Sequence, residues 1–131
     1  MIGLDTNVLV RYIVQDDPRQ SPKASALLES LTLESPGFVA LVSVVELYWV
    51  LSECYSLTRD QVAMAVEGLL QTREIVVDRA ERVAHALRVF RSGGGDFADC
   101  LVALEGFAAG CDRVLTFDKR AAKAAGMTLV G

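Results

Sequence analysis

The chain has 131 residues, 52% of them apolar and 23% charged, with a mean hydropathy of +0.34. That is the balance of an ordinary globule, long enough to bury roughly two-thirds of its unfolded surface and read as one domain over residues 1–131. A net charge of −4 argues against a protein that coats nucleic acid by bulk electrostatics. No apolar run approaches the roughly 20 residues that span a bilayer, and no basic-then-apolar leader is present, so a cytoplasmic protein without a membrane partner is expected. Cys54, Cys100 and Cys111 are odd in number and lack metal-ligand spacing, which suits reduced thiols.

In chain order the pattern alternates strand and helix. A strand near residues 2–5 leads into a short apolar helix around Val8–Val14, which Asp16-Asp17-Pro18 breaks. Ser21-Pro22 predicts the next helix start, with Ser21 as cap and Pro22 at the first helical position; this helix runs to about Leu31. After the turn Glu34-Ser35-Pro36-Gly37 comes a second strand at about 38–42, then a helix from Ser43 to near Tyr55. Thr58-Arg59-Asp60-Gln61 reads as a capping box that opens a helix to about Gln71. Glu74–Val77 is a third strand, and Asp78-Arg79-Ala80-Glu81 starts a helix that ends at Gly93-Gly94-Gly95. Asp96 caps the next helix, which closes at Gly110. A fourth strand at 113–117, a short helix at 119–125 and a small fifth strand at 127–130 complete the series. Strands separated by helices imply parallel pairing through right-handed crossovers. The expected fold is therefore α/β, a three-layer α/β/α sandwich with a central, mostly parallel sheet of four to five strands. Its first strand is central, with the fourth beside it.

Asp5, Glu46, Asp99 and Asp118 each stand at or just past a point where an apolar run hands over to a helix. Open parallel sheets bind ligands at the carboxyl ends of their strands, so these acids can converge there. Convergent carboxylates repel one another unless something neutralises them, and a divalent cation is the natural candidate. Helix capping accounts for part of the pattern by itself. Ser43-Val44-Val45-Glu46 matches a capping box, and Asp5, Asp96 and Asp118 all suit N-caps. It accounts for less of Glu46 and Asp99, whose helices are apolar almost all round. Burial of both acids is expected, yet no Lys or Arg lies within a turn of either. Without the four acids the chain carries thirteen acidic and thirteen basic residues, so two divalent cations cancel the excess.

Asp5-Thr6-Asn7-Val8-Leu9-Val10, Glu46 in Val45-Glu46-Leu47, Asp96-Phe97-Ala98-Asp99-Cys100-Leu101 and Thr116-Phe117-Asp118 together resemble the PIN-domain ribonucleases. Within that family they are similar to the VapC toxins of bacterial toxin–antitoxin pairs, over essentially the whole chain. The resemblance implies that Asp5, Glu46, Asp99 and Asp118 hold one or two Mg²⁺ or Mn²⁺ ions and carry catalysis. Asn7 and Thr116 match supporting polar positions, and Asp96 is either an accessory acid or only the helix cap. Cys100 stands where a small residue such as Ala is commoner. The resemblance further implies inhibition by a cognate antitoxin, a structured RNA substrate such as tRNA, and a homodimer.

Mg²⁺ in an all-oxygen shell activates a water for in-line attack on a phosphodiester and stabilises the leaving oxygen, which makes an endoribonuclease without a side-chain base. The single histidine, His85, excludes a paired-histidine ribonuclease and reads as a helix-surface residue. Arg11, Arg113, Lys119 and Arg120, with Lys123, are either RNA phosphate contacts or solvated helix positions. Gly93-Gly94-Gly95 follows a helix rather than a strand, so it reads as a flexible lip and not as a phosphate cradle. Tyr48, Trp49 and Tyr55 read as core or interface. Two other functions compete. One is a receiver-like phospho-acceptor domain using Asp78 with Thr116 and Lys119, although the acidic pair it needs after the first strand is missing. The other is a metal-free interaction module whose acids are only caps.

Overall fold

In the computed structural model, which describes residues 1–131, every strand pairing is parallel, as the alternation of strands and helices requires. The chain divides into two compact units, Met1–Ala80 and Glu81–Gly131. No helix is long and apolar enough to cross a membrane.

In the first unit β1 (Ile2–Gly3), β2 (Gly37–Val39) and β3 (Ile75–Val77) form one ladder in that order. Ile2 pairs with Gly37, and Gly37 in turn with Ile75. The Leu4 amide still donates to Phe38 O at 2.9 Å, so β1 delivers Asp5 immediately past its last ladder bond. Two helices, α1 (Thr6–Val14) and α2 (Gln20–Ser30), join β1 to β2. From β2 to β3 the chain runs through α3 (Leu41–Trp49), a π-helical turn (Val50–Cys54) and α4 (Arg59–Gln71). Val44, Leu47 and Leu51, then Val62, Val66 and Leu69, place one buried stripe on each of these segments at helical spacing. Gly37 permits the closest approach, because a Cβ there would lie 2.8 Å from Leu4 Cδ1 and 2.9 Å from Leu31 Cδ1.

In the second unit α5 (Ala80–Arg91) and α6 (Phe97–Ala108) precede β4 (Leu115–Thr116), α7 (Lys119–Ala124) and β5 (Thr128–Leu129). Val83, Ala86, Leu87 and Phe90 form the buried stripe of α5. Phe90 meets Phe97 edge to face, with centroids 5.9 Å apart and planes at 79°, the arrangement favoured by the ring quadrupoles. Ala103, Ala121 and Met127 make a further cluster, against which Val114 packs.

Capping departs from the sequence expectation at two helices. α2 begins at Gln20, and Asp17 rather than Ser21 takes its free amides, from Arg19 at 2.9 Å and Gln20 at 2.7 Å. Ser21 is buried instead, its hydroxyl donating to Arg11 O at 2.8 Å. α3 begins at Leu41, not Ser43, with Ala40 at its cap position and Asp78, just past β3, accepting the Leu41 amide at 3.4 Å. Ser43 and Glu46 therefore form no capping box. The Thr58 box does form, with Gln61 N–H on Thr58 Oγ1 and Thr58 N–H on Gln61 Oε1.

Strand pairing departs as well. β1 is an outer strand of its ladder rather than the central one, and β4 pairs with β5 instead of β1. Length is the reason. Each of these strands holds two residues, and the available bonds are spent locally: Ile2 and Leu4 donate toward β2, while Val114 O and Thr116 O accept from Thr128 and Val130 at 2.9 and 3.0 Å.

Candidate functional site

Asp5 follows β1 with Leu4 between and caps α1, its Oδ1 accepting the Thr6 amide at 2.7 Å. An aspartate here serves because the first turn of a helix has unsatisfied N–H groups. Thr6 then works twice. Its hydroxyl donates to Glu46 Oε1 at 2.8 Å, and with the residue only 8% exposed this fixes one arm of the Glu46 carboxylate. Asp5 and Glu46 are thus joined through Thr6, which lies forty positions from Glu46 in the sequence. Around them opens a cleft of about 640 Å³ whose walls include Asn7, Arg11 and Tyr55. The π-turn supplies one wall, its extra residue marked by the Tyr55 amide donating to Val50 O at 3.3 Å. Such turns recur at functional sites.

Glu46 is exposed, contrary to the burial expected from its apolar helix. α3 leaves Val42 (66% exposed) and Trp49 (42% exposed) on the same stripe, so all-round apolarity here does not mean all-round burial. Tyr55 is half-buried at the cleft rather than in the core, and its hydroxyl accepts from Arg11 Nη1 at 3.2 Å. Arg11 also donates to Gln20 Oε1 at 2.7 Å and lies 3.5 Å from Asp16, so its guanidinium is committed within the protein.

In the second unit Asp96 caps α6, accepting from Ala98 at 2.6 Å and Asp99 at 3.2 Å. Asp118 caps α7, accepting from Arg120 at 2.8 Å and Ala121 at 3.2 Å. Thr116 Oγ1 receives the Asp118 amide at 3.0 Å and so sets the turn that presents this acid. Asp99 is different. Its carboxylate caps nothing and has no ion pair, and its pKa is raised by desolvation first, then by the charges of Asp96 and Asp118. The ion pairs of the chain lie elsewhere, as at Arg79–Asp78 and Arg82–Glu105, and none reaches Asp5, Glu46, Asp99 or Asp118. His85 is exposed on α5.

No three His, Cys, Asp or Glu side chains are gathered into a ready-made metal cage. Mg²⁺ does not require one, since it keeps several waters and binds through one or two carboxylates plus substrate phosphate. Hard oxygen donors without a compensating cation, as at Asp96, Asp99 and Asp118, fit that ion and Mn²⁺.

An α/β chain with parallel strands and carboxylates at strand and helix ends defines a class, and comparison with known families specifies it. The PIN domain matches residues 2–127, so the chain belongs to the PIN-domain family, whose members are typically metal-dependent nucleases. The match takes in Asp5, Glu46, Asp96, Asp99 and Asp118 alike. A comparison with curated proteins returned no match. The residue that sequence reasoning passed over is Thr6. Its signal was a hydroxyl at the first helical position, beside Asp5.

Proposed function

We propose that this chain is a Mg²⁺- or Mn²⁺-dependent endoribonuclease, the toxin of a toxin–antitoxin pair, hydrolysing RNA phosphodiester bonds. The observation that carries the reading is Asp99, a partly buried carboxylate with neither cap nor ion pair and with two acids beside it. Charge left uncompensated in this way invites a cation. Asp5, Asp99 and Asp118 are the proposed ligands, with Glu46 as a ligand or water-orienting acid. When bound, the cation supplies an activated water and stabilises the developing charge on the leaving oxygen. The chain's own residues position the rest. Thr6 holds Glu46, the Asp96 cap sets the first turn of α6 under Asp99, and Thr116 sets the turn of Asp118. Asn7 stands in the cleft wall with an amide free for substrate oxygens.

The receiver-like reading would use Asp78, whose Oδ2 accepts the Leu41 amide at 3.4 Å and lies 3.9 Å from Arg79, and the PIN-domain match over residues 2–127 favours the nuclease over it. An RNA substrate, a cognate antitoxin, a homodimer and a cytoplasmic location belong to the proposal through the likeness of the acidic motifs to VapC toxins. The test is cleavage of total cellular RNA by purified protein in Mg²⁺ and in EDTA, beside Asp5→Asn and Asp99→Asn. Cleavage is expected only from wild type with metal. Undiminished cleavage by both variants, or none by wild type on any RNA, overturns the proposal, and the second outcome favours the metal-free interaction module.

A further inference from the structure

We infer that the cleft between the Gly93-Gly94-Gly95 loop and α7 is a docking site for a backbone phosphate of the RNA strand, held by Arg120 and Lys123. The inference rests on the ribonuclease reading above. The cleft measures about 550 Å³ and is lined by two cations and no carboxylate, in a chain whose net charge is −4. Arg120 and Lys123 stand three residues apart on one face of α7, and neither takes part in an ion pair. Two convergent cations without an acid between them cost self-repulsion, which an anion relieves.

The glycines of the opposite wall leave no room for a side chain where they pack. A Cβ on Gly94 would lie 2.4 Å from Val89 O, and Gly95 holds φ +67° with its Cβ position 3.3 Å from Ala124 Cβ. The loop is pinned there by the Cys100 thiol, which donates to Gly94 O at 3.0 Å. Its amides are already spent, Gly93 on Phe90 O, Gly94 on Val89 O and Gly95 on Gly93 O. The Arg120 and Ala121 amides of α7 are likewise taken by Asp118. The loop therefore supplies room, and the two side chains supply the donors. Contacts of this kind position a strand without reading its sequence. Arg120 and Lys123 follow the Asp118 cap by two and five residues, roughly 3 and 7 Å along the axis at about 1.5 Å per residue.

The test is equilibrium binding of a labelled single-stranded RNA to the full chain in EDTA, which separates binding from cleavage, over a series of salt concentrations. Each phosphate contact contributes about 0.7 to the slope of log K against log salt for single strands. Arg120→Gln with Lys123→Gln is expected to flatten the slope by about 0.7, for the one phosphate, and to weaken binding about five-fold near 0.1 M salt. Arg120→Lys with Lys123→Arg keeps the charges and retains both quantities. Arg73→Gln with Arg88→Gln, an equal charge change outside the cleft, leaves the slope near wild type. An unchanged slope in the Gln pair while wild type binds and cleaves RNA overturns this inference alone. A wild type that neither binds nor cleaves any RNA overturns the ribonuclease reading with it. Displacement of RNA by low-millimolar inorganic phosphate at constant ionic strength identifies a free-phosphate pocket and overturns the strand assignment. Binding of an acidic peptide in preference to RNA at this cleft does the same.

Discussion

Replacing Asp99 by Asn has opposite expected effects on stability and on activity. The Asp99 carboxylate caps nothing and pairs with no cation, so the substitution breaks no native bond. Desolvation, then Asp96 and Asp118, raise its pKa above the usual 3.8. Because the folded value exceeds the unfolded one, the fold prefers the neutral acid. The stability linked to Asp99 is full below the unfolded value and is lost as pH rises through the raised folded value. At neutral pH a deficit remains, and Asn, the neutral isostere, removes it. Asp99 is only partly buried, so solvent screening limits the gain to about 1 kcal/mol or less. For a chain of this size that is a Tm rise of at most about 3–5 °C in EDTA. Metal reverses the order. At ten times its Kd, Mg²⁺ adds about 1.4 kcal/mol to wild type by linkage and far less to the variant. Thermal unfolding at neutral pH, in EDTA and in Mg²⁺, reads both effects. A lower Tm for the variant in EDTA would mean that Asp99 makes a stabilising contact within the fold. Equal Mg²⁺-induced shifts in both proteins would remove Asp99 from the ligand set.

Thr6→Val keeps shape and deletes only the hydroxyl bond to Glu46. Because Glu46 is exposed, water replaces that bond and stability changes by less than about 1 kcal/mol, whereas RNA cleavage falls about tenfold through misplacement of the carboxylate. Full activity in Thr6→Val beside an inactive Glu46→Gln would deny Thr6 a positioning role. Gly68, exposed within α4 with nothing within 4 Å of a Cβ, accepts Ala with a gain of about 0.5–1 kcal/mol, while Gly94→Ala destabilises because Val89 O blocks its Cβ. Denaturant melts should give the two opposite signs, and a loss in Gly68→Ala or a gain in Gly94→Ala would count against that assignment. Asp17→Ala lowers the Tm at neutral pH, because the Gln20 and Arg19 amides hold the Asp17 pKa below 3.8. That loss shrinks as pH falls through the lowered folded value, since the stability is present only above it. A difference that persists in full at lower pH would assign the effect to something other than the carboxylate.

Several features are settled within a turn or two of chain, and these were legible in the residues alone. The Thr58 capping box and the Asp96 and Asp118 caps follow from hydrogen bonding over at most four residues, and the parallel pairing follows from the order of strands and helices along the chain. So were the four acids, because strand and helix ends can be read from apolar runs. Other features depend on which segments abut. The Leu41 amide at the start of α3 meets Asp78, thirty-seven residues away, and Glu46 meets Thr6 across forty. Neither partner is visible in a local window. Hydrophobicity also misled about Glu46, since a helix rich in apolar residues can still leave one face in water. Among the basic residues, type and spacing could not separate Arg11, engaged by Asp16, Gln20 and Tyr55, from Arg120 and Lys123, which face a bare cleft. Local sequence decided where the acids and caps lie. The tertiary structure alone decided which side chains are already satisfied and which are left without a partner, because that depends on groups brought from distant positions.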